Sequence, residues 1–350
     1  MARRLGDSRT LAYALNARCL SVDDPGSMEA FTETALECIH VAEGIGEVER
    51  AFTGNIYLTA SLMQVGDIEG AKRALKAMRR HGEELKEPTY RWATAELEAA
   101  LGLFEGRFDI AEELIPQAYE AGRQAISFNA LAGYRLQRFL LHRERGRLER
   151  WEDGLREGAT ETPEYHILRA ALANLSVELG RTEAARTIFE ELAQNDFEQV
   201  YYDEEFLASM TLLAEVCVSL GDLDRAASIH ERLLPHAGRN AFAMIEFGLG
   251  SVARPVGLLA SALGRTDEAI DHLEKAIEMN ARMGARPWVA HSRFDLGRTL
   301  AQTGGPAAAE RSVAALTEAL DEYRALGMEP WEHKAQRALD ELGVRQQASR

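Results

Sequence analysis

Nine histidines are the first place to look for chemistry: His40, His81, His142, His166, His230, His236, His272, His291 and His333. None sits in an HExxH pattern, which would put two imidazoles on one helical face around a metal. His230 and His236 are six residues apart, off the i, i+4 face, with no third ligand near in sequence. No serine or cysteine lies in a GxSxG elbow. Gly248-Leu249-Gly250 lacks the third glycine of a dinucleotide fingerprint. With 56 acids in the chain, carboxylate pairs arise unavoidably and do not signal a glycosidase. The sequence therefore predicts no enzyme, no cofactor and no metal site.

Charge and aromatic residues point instead to binding. From Arg123 to Arg150 there are seven arginines against two acids, and from Thr187 to Asp224 ten acids with no Lys or Arg. Opposite patches of this kind can dock charged partners. Aromatic residues open several segments: Tyr90 and Trp92, Tyr165, Tyr201 and Tyr202, Trp288, Trp331. The candidate binding set is Tyr90, Trp92, Arg135, Arg138, Tyr165 and Arg169. The net charge of −16, from 40 basic and 56 acidic residues, argues against general affinity for nucleic acid. No stretch reaches 18 uncharged apolar residues, so no membrane span is expected. Three cysteines without a CxxC spacing read as reduced thiols of a cytoplasmic protein.

These residues need elements to carry them. Alanine and leucine number 55 and 43, against 13 each of valine and isoleucine, a composition of helix rather than sheet. A glycine, a polar residue, a spacer and usually an acid recur from Gly66, Gly106, Gly146, Gly180, Gly221 and Gly264, with weaker copies at Gly26 and Gly304. Successive copies are separated by 40, 40, 40, 34, 41, 43 and 40 residues. The glycine can end one helix in the left-handed region, and the acid meets the positive end of the next helix dipole. Five residues after the glycine stands Ala71, Ala111, Ala185, Ala226, Ala269 or Ala309, small enough for two helices to approach closely; Phe31 and Trp151 break this rule.

The spacing predicts first helices near 8–21, 49–65, 89–105, 127–145, 165–179, 203–220, 241–263 and 288–303. Second helices are expected near 28–43, 68–84, 108–123, 148–157, 182–194, 223–236, 266–283 and 307–326, with a last one over 331–342. Pro255, with Gly248 and Gly250 before it, predicts a kink or break between 248 and 255. The fold class is all-α: a right-handed α-α superhelix of about eight helix pairs, one array over 1–343 with a polar tail over 344–350. Nearest-neighbour burial should hold it together, without contacts between distant ends.

The segment Ala262-Leu-Gly-Arg-Thr-Asp-Glu-Ala-Ile-Asp-His-Leu-Glu-Lys-Ala-Ile-Glu-Met-Asn280 resembles the second half of a tetratricopeptide repeat. Leu233 to Asn240, Leu249 to Val252 and Asn280 to Trp288 resemble the C-terminal repeat region of bacterial AAA/STAND-type signalling ATPase regulators. In those regulators the repeats accompany a LuxR-type DNA-binding element or a class III adenylate/guanylate cyclase domain. The resemblance implies a non-catalytic sensor that holds a protein, peptide or small inducer on its concave face. No GxxxxGK[ST] phosphate loop occurs, so the family's nucleotide chemistry is not carried over. Ala2 to Asp7 reads as the end of a helix whose partner is missing. A fragment of a longer regulator, or a free-standing adaptor, is expected, with a possible homodimer through that N-terminal edge.

Overall fold

A computed structural model describes residues 2–19 and 28–348; the turn expected at Gly26-Ser27 and residues 349–350 lie outside them. A short helix α1 (Ala2–Leu5) precedes the first pair, α2 (Ser8–Cys19) with α3 (Met28–Gly44). The next units are α4 (Val48–Val65) with α5 (Ile68–Leu85), α6 (Pro88–Glu105) with α7 (Phe108–Gly122), and α8 (Ser127–Arg145) with α9 (Glu152–Glu161). Then come α10 (His166–Glu178) with α11 (Thr182–Leu192) and α12 (Phe206–Leu220) with α13 (Leu223–Leu233).

The six strong glycine turns, Gly66 to Gly264, take the positive φ that the spacing predicts, whereas the weaker copy Gly304 has φ 73° and ψ 168°, outside the left-handed helical region. At Gly66 the φ of 88° is left-handed, and its N–H and that of Asp67 both bond to the Leu62 carbonyl, at 3.0 and 2.9 Å. The Asp67 side chain then accepts from Gly70 N at 2.8 Å, capping α5. Ala71, Ala111, Ala185, Ala226 and Ala269 are buried between paired helices, and Ala309 is half-buried. Where Trp151 replaces the alanine, the second helix begins as a 3-10 turn (Leu148–Trp151) and α9 has only 10 residues.

The seventh unit departs from the expectation. Residues 241–263 do not form one kinked helix. They form an antiparallel hairpin, β1 (Asn240–Ala243) with β2 (Phe247–Ser251), followed by α14 (Ala253–Ala262). Every residue of both strands is buried. Phe242 pairs with Gly248 and Ala243 with Phe247, and an irregularity separates them from the Asn240–Ser251 pair. Pro255 is the third residue of α14, in a first turn whose N–H groups lack helical acceptors anyway, so it kinks nothing. The array ends with α15 (Thr266–Arg282), α16 (Arg286–Thr303), α17 (Pro306–Leu326) and α18 (Glu329–Ala348), the last running past its expected end at 342.

The hairpin lies inside the superhelix. Its strands touch the inner helices α4, α6, α8 and α12, and also α15 and α16. The backbone carbonyls it meets are satisfied by side chains. Gln64 Nε2 donates to Phe242 O (3.1 Å), Asn240 Nδ2 to Met63 O (2.8 Å), and Gln137 Nε2 to both Glu246 O and Glu96 O (2.8 Å each). The Phe242 ring meets Phe104 edge-on at 6.2 Å. Burying each such ring stabilises by about 1.5–3 kcal/mol.

Distant units also touch, contrary to the nearest-neighbour expectation. Gly66 lies against Met279 and Met283, Gly106 against Pro287 and Leu326, and Gly146 against Pro330. These contacts join the second unit to the seventh, the third to the eighth, and the fourth to α18. The superhelix thus returns on itself after five units, and the hairpin fills the axis that so tight a winding leaves.

Candidate functional site

Five inner elements deliver polar side chains to one interior cluster. Arg143 of α8 donates to Glu215 Oε2 of α12 at 2.7 Å, and Asn174 of α10 donates to the same oxygen at 2.8 Å. Arg254 of α14 reaches Glu215 Oε1 at 2.5 Å and Asp295 Oδ2 of α16 at 2.8 Å. The four charged side chains are each at most 10% exposed. Two guanidinia and two carboxylates balance, as buried charge must. Burial pushes the Glu215 carboxyl up, but Arg143 and Arg254 outweigh it and hold it well below the carboxylate range.

A second layer flanks this one. His291 Nε2 stands 3.1 Å from Glu144 Oε2, and its Nδ1 2.9 Å from the Tyr323 hydroxyl. Burial pushes Glu144 up to about 7 and keeps the His291 ring neutral by driving its pKa well below the ordinary value. The Trp331 ring lies beneath two cations, the Arg143 guanidinium at 5.4 Å and Lys334 Nζ at 3.9 Å. Lys334 also bonds Glu178 at 2.6 Å, tying α18 to α10.

A cavity of about 310 Å³ opens on this cluster between α10, α12, α14, α16 and α18. Its wall carries Glu178, Glu215, Asp295 and Glu341 against Arg254, Arg298, Lys334 and Arg337, with Phe294 and Trp331 as apolar surfaces. A smaller cavity of about 120 Å³ shares Arg298, Ala338 and Glu341. Equal numbers of acids and bases around two rings suit a small ligand carrying both charges and an apolar body. The larger volume stands at the lower end of ligand pockets, roughly 300–1,000 Å³.

The sequence-derived candidates lie elsewhere. Tyr90 packs edge-on to Phe52 at 4.8 Å, and Trp92 is buried. Arg135 pairs with Glu161 at 3.1 Å and Glu157 at 3.4 Å on α9. Arg138 lies over the Tyr134 and Trp151 rings, at 5.5 and 5.2 Å. Tyr165 donates its hydroxyl to Glu205, and Arg169 bonds Glu191 at 2.7 Å and Gln199 at 3.3 Å. None of the six lines the larger cavity. The basic and acidic stretches do meet, however, since Arg143 comes from the first and Glu215 from the second.

The histidines divide as well. His230 Nε2 is 3.0 Å from Glu268, and His236 Nε2 is 2.7 Å from the Tyr202 hydroxyl, so the pair read from sequence forms no common site. Instead, His166, Asp203 and Glu205 each present one ligand atom, all within 4.8 Å of one another. Burial lowers His166 to about 4, leaving its ring neutral near pH 7.

Two stretches match family models described as tetratricopeptide repeat, residues 209–241 and 249–322. The chain is a tetratricopeptide-like solenoid. Over its whole length it is similar to the crystal structure of Rap protein complexed with competence and sporulation factor, with 12% identity, 100% of this chain and 99% of that one covered, and a TM-score of 0.50. The APC/C hetero-tetramer Cut9-Hcn1 gives 12% identity, 97% and 82% coverage and a TM-score of 0.40. Yeast Tom70 gives 11% identity, 99% and 94% coverage and a TM-score of 0.34. No curated protein matches the sequence. Among the described residues, no helix is long and apolar enough to cross a membrane.

Proposed function

We propose that this chain is a non-catalytic sensor: a tetratricopeptide-like interaction array whose inner face holds a small ligand bearing both charges, such as an amino acid or the end of a short peptide. The cavity bounded by four acids, four bases, Phe294 and Trp331 carries this reading. It lies where α10 and α12, of the fifth and sixth units, meet α14 and α16, of the seventh and eighth, and α18. A ligand bridging that junction would favour the closed winding over a looser one, and a partner contacting the outer helices would read the change. A long extended peptide along α4, α6 and α8 is disfavoured because the hairpin already occupies that surface.

The sequence resemblance favours a bacterial signal-transduction regulator, cytoplasmic, as the setting, with an ATPase partner domain elsewhere. The similar Rap protein structure is a complex with competence and sporulation factor, which supports a binding role for this fold. Neither nucleic acid nor membrane is proposed as a direct partner. At the first unit, Tyr13 and Leu36 are 63% and 51% exposed, which supports pairing of two copies through the N-terminal edge. Sedimentation over a range of concentrations tests that pairing.

The sensor reading is tested by thermal unfolding with a panel of free amino acids and short peptides with unmodified ends. At least one member should raise the transition, and Arg298→Glu should remove the effect. A panel without a stabilising member, or stabilisation untouched by Arg298→Glu, would contradict the reading.

A further inference from the structure

We propose that His166, Asp203 and Glu205 form a binding site for one divalent transition-metal ion of the zinc, cobalt or manganese class. The three residues come from two connections brought together at one end of the inner layer. His166 is the first residue of α10, while Asp203 and Glu205 lie just before α12. Their ligand atoms all fall within 4.8 Å of one another. Donors bound to one such ion at about 2.0–2.2 Å must lie within twice that distance, so a small side-chain adjustment closes the site.

The second observation is an unmet need at the same place. The His166 side chain is 3% exposed, and neither ring nitrogen has a hydrogen-bond partner. Asp203 Oδ1 stands 3.7 Å from its Nε2, close enough to share an ion but too far for a hydrogen bond. A buried imidazole that forgoes both its bonds costs free energy unless something else occupies the nitrogen.

Charge agrees with this. Glu205, Glu246 and Glu96 are 6%, 7% and 1% exposed. Among the described residues no Lys or Arg side chain is paired with any of them. Glu246 acts on Glu205, and both act on Tyr165, so these groups share one interior. Elsewhere the protein supplies its buried carboxylates with guanidinia, as at Glu215.

The support around the three ligands also fits. The Tyr165 hydroxyl holds one Glu205 oxygen, and the Glu205 N–H donates to Asp203 Oδ1 at 3.0 Å, fixing both carboxylates. Tyr201 packs edge-on to the His166 ring at 5.9 Å. One imidazole with two carboxylates suits zinc, cobalt or manganese better than calcium, which prefers oxygen alone. Three protein ligands leave a position for water or an incoming group. The ion would anchor a connection in which Asn195, Asp196 and Phe197 all adopt left-handed φ values of 48°, 57° and 62°.

The test is titration of the full chain, stripped with a chelator, with Co²⁺ followed by absorption and Zn²⁺ followed by calorimetry. One ion per chain is expected, with a rise in the thermal transition. His166→Gln and Asp203→Asn should each abolish binding at one equivalent. Tyr165→Phe, which frees Glu205, should weaken it on the order of 10–100-fold. His40→Gln, at an exposed histidine, should change nothing. Circular dichroism without metal verifies that each variant folds, and Tyr165→Phe stands in should His166→Gln fail. No binding at one equivalent, or binding that survives both His166→Gln and Asp203→Asn, would overturn the site.

Discussion

The unit at 203–236 and the one after it are built from the same kind of sequence and end differently. In the former, an inner helix, α12, runs 15 residues, buried from Phe206 to Cys217, and turns at Gly221 onto an amphipathic partner. In the latter, the first half of the inner position is a hairpin and only the second half is helical. An array of helix pairs needs only its neighbours. A hairpin inserted along the axis makes the inner helices α4, α6 and α8 depend on a unit three to five places away. The comparison separates two kinds of stability in one chain, a local kind repeated at every glycine turn and a long-range kind concentrated around the hairpin.

Substitution at the two kinds of place should give effects of different size. Arg254→Ala leaves Asp295 unpaired and Glu215 with one guanidinium, and should destabilise by about 3–5 kcal/mol. Arg286→Ala, which breaks an exposed pair with Glu322, should cost less than about 1 kcal/mol. Denaturant unfolding of both variants makes the contrast directly, and equal losses would remove it.

Gly250 and Gly180 have nearly the same φ, 73° and 70°. A Cβ at Gly250 would meet Trp288 Cβ at 2.6 Å, whereas at Gly180 nothing lies within 4 Å. Gly180→Ala should therefore cost only the left-handed backbone term of about 1–2 kcal/mol, and Gly250→Ala distinctly more, about 2–4 kcal/mol. Chemical denaturation midpoints give the order, and the reverse order would break the comparison.

The buried carboxylate at the junction gives a pH-dependent case. Glu144 titrates at 4.5 when unperturbed and at about 7 in the folded chain. The folded state binds this proton more tightly, so the contribution is full below pH 4.5 and lost as pH rises through 7. Glu144→Gln, which keeps a group able to bond His291, should gain about 2–3 kcal/mol over the parent at about pH 8.5 and nothing at about pH 5. Thermal unfolding at both values reads the difference. The smallest effect belongs to Arg135→Ala, since its partners Glu157 and Glu161 are 68% and 61% exposed; less than about 1 kcal/mol is expected in the same assay.

The repeated glycine, the following acid and the small residue were enough to place nearly every helix pair, because each reports a local event: a left-handed turn, a cap, a close crossing. The hairpin escaped for a physical reason. With both faces of Asn240–Ala243 and Phe247–Ser251 buried, the strands show no polar alternation and read like a buried helix. Gly248, Gly250 and Pro255 were the available signals, and they marked the right place with the wrong structure. The cavity and the His166 cluster escaped because their members meet through winding rather than spacing. Arg143 and Glu215 are 72 residues apart, and His166 lies on a different connection from Asp203 and Glu205.

Hydrogen exchange along the chain gives the most direct test of the plugged, self-contacting superhelix. The amides of Phe242, Ala243 and Phe247 should exchange as slowly as those in the middle of α12, opening only when the whole molecule unfolds. Exchange there at the rate of a surface loop, with α12 still protected, would show that the inner face is free and that the axis is open.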